Sequence, residues 1–273
     1  YYGGLFKMRK ACLFMISARN HLLKECLTYV DSNYNKRYNY PILIFYHNHL
    51  SDTYGNESYR EDIRRINSKT DIRFHPIEAK IPDHLQEKDM FWNLPNAYAA
   101  NFGRQRLGYL HANHFWNNFM NYSELDEFDY MMRIDDDSWF KKEIPFDFFE
   151  ELDNRNGYFG TGFTWNHFSS GHMDTRYGLF KWIKNYVEKY NITVKDEQLR
   201  ESLNGEIDNI KFHTLKWNCG NSNVYNRKMF ETEEWKRYLN EFNSSGGGYR
   251  YRWVDCEILG SVSYTHLRSH ETS

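Results

Sequence analysis

No apolar run in these 273 residues reaches the length of a membrane span or a signal peptide. An excess of one charge is also lacking: 35 Lys and Arg face 37 Asp and Glu, a net charge of -2. That balance offers no basic field to nucleic acid or to an anionic membrane. The 4 Cys (Cys12, Cys26, Cys219, Cys256) have no metal-type spacing, which disfavours zinc and leaves room for two disulfides. Neither G-x-G-x-x-G nor G-x-x-x-x-G-K-S/T occurs, which disfavours dinucleotide oxidoreductases and P-loop enzymes. The chain opens on Tyr1 rather than Met, so it reads as a fragment or a processed form. A lumenal catalytic domain without its anchor fits, and so does a cytosolic enzyme. Sequons at Asn56, Asn121, Asn191 and Asn243 lean towards the secretory pathway.

Aromatic residues, by contrast, are abundant at 18%, with 22 Tyr, 20 Phe and 8 Trp. Such rings stack on sugars, although an aromatic-rich core is the commoner cause. The early chain alternates apolar runs with helical patterns. Ala11 to Ser17 predicts a buried strand, followed by a helix with Leu22, Leu23, Cys26, Tyr29 and Val30 on one face. Strands at 42–46 and 72–77 flank a helix around 59–66, the outline of a mononucleotide-binding half. Residues 80–102 read as a long loop and 103–120 as a helix. Further on, a short strand is expected within 156–163, helices over 177–190 and 231–242, a turn over 218–224, and an exposed insertion over 195–211. No repeats occur, and the pattern predicts one domain.

The stretch with most chemistry is Phe128-Asp129-Tyr130-Met131-Met132-Arg133-Ile134-Asp135-Asp136-Asp137. An apolar strand running into three carboxylates needs something to neutralise them. A hard divalent cation, Mg²⁺ or Mn²⁺, suits an all-oxygen site, and ligands gather at the carboxyl ends of strands in open α/β sheets. Asp135 and Asp137 are the candidate ligands, while Asp136 points to the opposite face of an extended chain. A solvated acidic turn is the plainer reading. Arg133, within the apolar run, needs an acidic partner or a role in the site. Arg19 is placed to meet phosphate by charge-assisted hydrogen bonds. His111 and His114 fit a helix face better than a metal pair. Asn221 and Asn223 suit a turn, with sugar binding as the alternative.

Several landmarks together resemble the fungal-type Golgi α-1,2-mannosyltransferases, glycosyltransferase family fifteen. Ile16-Ser17-Ala18-Arg19-Asn20 is similar to that family's strand ending in Val-Arg-Asn, and Tyr40-Pro41-Ile42-Leu43-Ile44-Phe45 to its Tyr-Pro-apolar strand. Tyr109-Leu110-His111-Ala112-Asn113-His114-Phe115 falls at its Tyr-Arg-x-Met-Cys-Arg-Phe, which makes Tyr109 a donor contact by resemblance. Asp129 to Asp137 corresponds to its Asp-Tyr-x-Trp-Arg-Val-Glu-Pro-Asp. Gly247-Gly248-Tyr249-Arg250-Tyr251-Arg252-Trp253-Val254-Asp255 is similar to its Gly-Gly-Phe-x-Tyr-Glu-Arg-Trp-Gly-Asp.

The resemblance implies a single-domain GT-A fold, α/β with a mixed central sheet flanked by helices, over residues 1–260. Residues 261–273 resemble an adaptor-derived tail and are read as non-native or disordered; His266 and His270 there are not taken as ligands. The implied reaction moves mannose from GDP-mannose, with retention and with Mn²⁺ (or Mg²⁺), to a glycan or glycoprotein acceptor. The implied location is the Golgi or ER lumen, with the membrane reached only through an anchor absent from this chain. Sugar-nucleotide contacts fall to Arg19, Tyr109, Arg133, Asp135 and Asp137, the metal to Asp135 and Asp137. Trp253 and Asp255 are the expected acceptor contacts, by ring stacking and hydroxyl binding; a salt bridge to Arg250 or Arg252 is the alternative for Asp255. Two departures bear on the chemistry. Asp135-Asp136-Asp137 replaces Glu-Pro-Asp, which keeps a UDP-sugar open as donor. Tyr225 falls where the family has the Glu proposed as nucleophile, so no nucleophile is assigned, and a non-catalytic glycan-binding protein remains a rival.

Overall fold

A computed structural model describes residues 9–86, 88, 90, 107–161, 164–166, 178–194, 197–204, 216–218, 221–253 and 258. In chain order the strands are β1 (Ala11–Ile16), β2 (Ile42–His47), β3 (Ile72–Ile77), β4 (Tyr130–Ile134), β5 (Phe159–Thr161), β6 (Thr164–Asn166), β7 (Lys216–Asn218) and β8 (Ser222–Asn226). Helices include α1 (Asn20–Asn33), α2 (Ser51–Tyr54), α3 (Glu57–Arg64), α4 (Leu107–Asn118), α5 (Phe148–Asn154), α6 (Leu179–Lys189), α7 (Glu197–Asn204), α8 (Glu233–Ser245) and α9 (Gly247–Arg250). Six strands form a mixed sheet in the order β3-β2-β1-β4-β8-β5, and β6 pairs with β7. The α/β class with a mixed sheet and flanking helices is therefore as expected. Packing divides the chain into two compact units, 1–79 with 122–162 and 221–229, and 80–121 with 163–220 and 230–273.

The first unit holds the six-stranded sheet. β1, β2, β3 and β4 run parallel, and β8 runs antiparallel to both β4 and β5. Strands β1 and β2 are buried at every residue, which is why their sequences read as continuous apolar runs. One face carries Ala11, Leu13 and Met15, Ile42, Ile44 and Tyr46, Met132 and Ile134, and Val224. Against it packs α1 through Leu23, Cys26, Leu27 and Val30, at helical spacing. The expected face is corrected in two respects: Tyr29 is exposed and Leu22 only half-buried, while Leu27 joins the packed side. Asp147 starts α5 by accepting from the Phe149 N–H at 2.9 Å.

The stretch expected to turn over 218–224 instead enters strand β8. Asn and Ser disfavour strands, but β4 and β5 supply hydrogen-bond partners on both sides, and that pairing overrides local preference. The expected insertion over 195–211 contains α7, whose Leu199 and Leu203 are buried.

In the second unit, Thr232 caps α8 by accepting from the Trp235 N–H, with Glu233 and Glu234 in the first turn. Gly246 ends that helix at φ 68, a left-handed conformation that glycine adopts without a Cβ penalty. Among the described residues, no helix is long and apolar enough to cross a membrane. Residues 91–106, Cys219, Asp255, Cys256 and the tail from 259 onward lie outside the described residues.

Cys12 and Cys26 are buried free thiols. Burial, reinforced by the Asp136 charge, pushes Cys26 up to about 12, and burial raises Cys12 well above its usual value. Neither should be alkylated by iodoacetamide at pH 8 in the folded protein, and both should be in denaturant. Peptide mapping that finds Cys26 labelled under native conditions would show that α1 is not docked on the sheet.

Candidate active site at the carboxyl edge of the sheet

Strand order reverses between β1 and β4: β2 and β3 lie to one side of β1, and β4 lies to the other. Such a switch point leaves a crevice beyond the carboxyl ends of the two strands. The residues that follow β1 are Ser17, Ala18 and Arg19; those that follow β4 are Asp135, Asp136 and Asp137. The structure brings these two segments together.

Asp135 to Ser138 is a turn closed by the Ser138 N–H donating to the Asp135 carbonyl at 3.0 Å. Cys26 Sγ, from α1, donates to the Ser138 carbonyl at 2.8 Å and ties the turn to the helix. Asp136 is 1% exposed and is the best-satisfied carboxylate of the three. Its Oδ2 accepts from Ser17 Oγ (3.0 Å), Ala18 N–H (2.9 Å) and Arg19 N–H (2.9 Å), and its Oδ1 accepts from Arg19 Nε (2.8 Å). Those backbone donors lie at the start of α1, where a carboxylate is favoured. Ser17 Oγ also meets Tyr54 Oη at 2.8 Å, and burial raises that tyrosine to about 12, so it stays protonated.

The outer two aspartates differ. Asp135 accepts from Arg133 Nε at 2.9 Å and from its Nη2 at 3.3 Å, with the arginine side chain 8% exposed. The acidic pairing expected for Arg133 is thus present. Asp137 is more open, its side chain 35% exposed, and meets Arg19 Nη1 at 2.5 Å. Burial opposes the charge on Arg19, but the hydrogen bond and charge of Asp136 outweigh it, and its pKa is raised. Among the described residues, no group of three or more His, Cys, Asp or Glu side chains is arranged around a metal position. Two hard carboxylates on one turn still suit Mg²⁺ or Mn²⁺, which keep waters and take phosphate oxygens for their other positions.

The remaining candidates separate by burial. Tyr225 is 1% exposed, its ring 5.5 Å from Phe159 and 6.4 Å from Phe14, and its hydroxyl accepts from Asn223 Nδ2 at 3.2 Å. It lies opposite Met131, deeper in the sheet than Ser222, which pairs with Ile134 at the carboxyl edge. The Tyr225 hydroxyl is therefore a core group, and Tyr225→Phe, which keeps the buried ring and removes the hydroxyl that accepts from Asn223, should leave kcat within about twofold of wild type. A loss of a hundredfold or more with the fold intact would return it to the chemistry. Asn223, opposite Arg133, is also buried, and its Oδ1 has no hydrogen-bond partner among the described residues.

In the second unit, Tyr109 is 40% exposed and the Arg252 guanidinium sits over its ring at 4.7 Å. Arg252 itself has φ 58, a costly conformation for a side chain of its size. Trp253, expected to stack on an acceptor sugar, is 2% exposed, with its ring packed among Trp182, Phe242 and Tyr251. A ring buried on this scale packs against its protein neighbours. His111 bonds Tyr249 Oη through Nδ1 at 2.9 Å, in keeping with a helix face. Ser17 and Cys26 escaped the sequence reading. Their partners on the acidic turn are more than a hundred positions away, and nothing local marks them.

A mixed α/β sheet with this switch point and flanking helices is the architecture of GT-A-type glycosyltransferases. The chain belongs to the glycolipid 2-alpha-mannosyltransferase family, whose profile matches residues 6–272. The mannosyltransferase Ktr4p from S. cerevisiae, solved in complex with GDP, superposes with a TM-score of 0.77 at 16% identity, over 94% of this chain and 67% of that one. Core-mannan synthase A (CmsA/Ktr4) from Aspergillus fumigatus, in a Mn/GDP form, gives 0.77 at 15% identity, over 96% and 71%. At such identities the likeness is one of fold, and this chain spans about two thirds of the yeast structure's length. No curated protein sequence matches significantly.

Proposed function

We propose that this chain transfers mannose from GDP-mannose to a glycan or glycoprotein acceptor, with retention of configuration and with a divalent cation, Mn²⁺ by preference. The observation that carries the reading is the turn Asp135–Asp137 at the switch point, with Arg19 closing over it. GDP and Mn/GDP in the two structural relatives support the nucleotide and the ion. Asp135 and Asp137 would hold the cation, which when bound offsets the charge that develops on the departing diphosphate.

Around that position the chain's own groups have distinct work. Arg133 fixes the Asp135 carboxylate in one orientation, and the Cys26 thiol holds the turn against α1. Arg19 brings a fork of N–H donors to the place where a diphosphate would lie. Tyr109, an exposed ring, keeps its proposed role as a donor contact, and Asp255 its proposed role towards acceptor hydroxyls. The proposed compartment is the Golgi or ER lumen, supported by sequons whose Asn56, Asn121 and Asn191 are exposed.

Isothermal titration tests the reading. GDP should bind wild type, bind more tightly with Mn²⁺, and lose that Mn²⁺ dependence in Asp135→Ala/Asp137→Ala. Equal or tighter binding of UDP would overturn the donor assignment, and no binding of either nucleotide would overturn the enzyme reading.

A further inference from the structure

The middle aspartate of the triplet is the one whose place in the site is most constrained. The last ladder pair joining β1 to β4 is Phe14 with Arg133. Beyond it, the link between the two strand ends runs through Asp136, which takes both backbone and side-chain hydrogen bonds from Arg19. Asp136 accepts from four donors, and Arg19 Nη2 also lies 2.5 Å from its Oδ1. Besides Asp136, Asp137 meets Arg19 Nη1 at 2.5 Å, and the arginine side chain is 46% exposed, so its long stem is ordered by these two carboxylates.

We propose that Asp136 is a positioning residue: it fixes the Arg19 guanidinium at the mouth of the acidic turn, so that the fork meets the diphosphate of a bound nucleoside diphosphate without reorganising. Asp136 touches neither cation nor nucleotide itself. Its carboxylate acts through Arg19, and the geometry of that contact, more than the positive charge alone, sets nucleotide affinity. The proposal rests on the nucleotide-binding reading above and adds a residue to it.

The distinguishing variant is Arg19→Lys, which keeps the charge and every backbone hydrogen bond to Asp136 but loses the Nε bond and the planar fork. GDP affinity in the presence of Mn²⁺, read by titration calorimetry, should fall about tenfold in Arg19→Lys and by a similar factor in Arg19→Met and Asp136→Asn. The double variant Asp136→Asn/Arg19→Met should bind about as well as Arg19→Met alone, because both changes remove one unit. A purely structural Asp136 would instead give independent, multiplying losses. Wild-type affinity in Arg19→Lys, or multiplicative losses in the double variant, would overturn the positioning role while leaving the nucleotide reading in place. Failure of wild type to bind GDP would sink both. If Asp136→Asn does not fold, Asp136→Glu decides in its place: it keeps the charge but displaces the carboxylate from Arg19, so a loss of about tenfold that is absent in the Arg19→Met background supports the positioning role, and wild-type affinity refutes it.

Discussion

Asp137→Ala should lower kcat/KM about a thousandfold, close to 4 kcal/mol of transition-state stabilisation, while Tm hardly moves. The second half of that expectation follows from exposure. Asp137 contributes a partly exposed ion pair with Arg19, and such pairs add little to folding. The first half follows from chemistry, because a leaving diphosphate gathers charge as its bond to sugar C1 breaks, and half of the proposed carboxylate pair is then gone. Asp135→Ala should lose as much activity but should also unfold more easily. Its carboxylate accepts from Arg133, which is almost fully buried, and removing one partner of a buried pair costs about 3–5 kcal/mol. Steady-state kinetics with a manganese titration, paired with thermal melts, separate the two variants. Undiminished turnover in Asp137→Ala would remove the turn from the catalytic site.

Those contrasts depend on features that the sequence reveals unevenly. The parallel strands were legible because burial on both faces forces apolar residues into unbroken runs, as in Cys12-Leu13-Phe14-Met15-Ile16 and Ile42-Leu43-Ile44-Phe45. The acidic turn was legible for the opposite reason, since three adjacent carboxylates after a buried strand contradict everything local. Strand β8 was not legible: Ser222-Asn223-Val224-Tyr225-Asn226 is a strand because β4 and β5 clasp it, and that information is not in its own residues. The same holds for Asp136. Alternation predicted that it faces away from Asp135 and Asp137, whereas it shares the Arg19 guanidinium with Asp137, and nothing in the sequence named Ser17, Ala18 and Arg19 as its donors. For Trp253 the sequence is silent for a related reason, as a motif of glycines, tyrosines and arginines ending in Trp reads the same whether the ring faces sugar or protein.

For Trp253 the glycine before it shows which way the ring faces. A Cβ added at Gly247 would lie 2.0 Å from the indole, so the ring occupies the space that any side chain at 247 would need. Trp253→Ala should therefore destabilise the protein by about 3–5 kcal/mol, the usual cost of emptying a buried aromatic site. Gly247→Ala should cost about 1–3 kcal/mol by overpacking against the intact ring. In the double variant Gly247→Ala/Trp253→Ala the new methyl enters vacated space, so the Gly247→Ala penalty should vanish and the two effects should fail to add. Denaturant unfolding of the four proteins measures that coupling directly. Acceptor kinetics give the opposing reading its chance: Trp253→Phe, which keeps an apolar ring in place, should leave the acceptor KM within about twofold of wild type. A tenfold rise in that KM at unchanged stability would mean that the indole contacts sugar after all, and that its packing against Gly247 is incidental to its role.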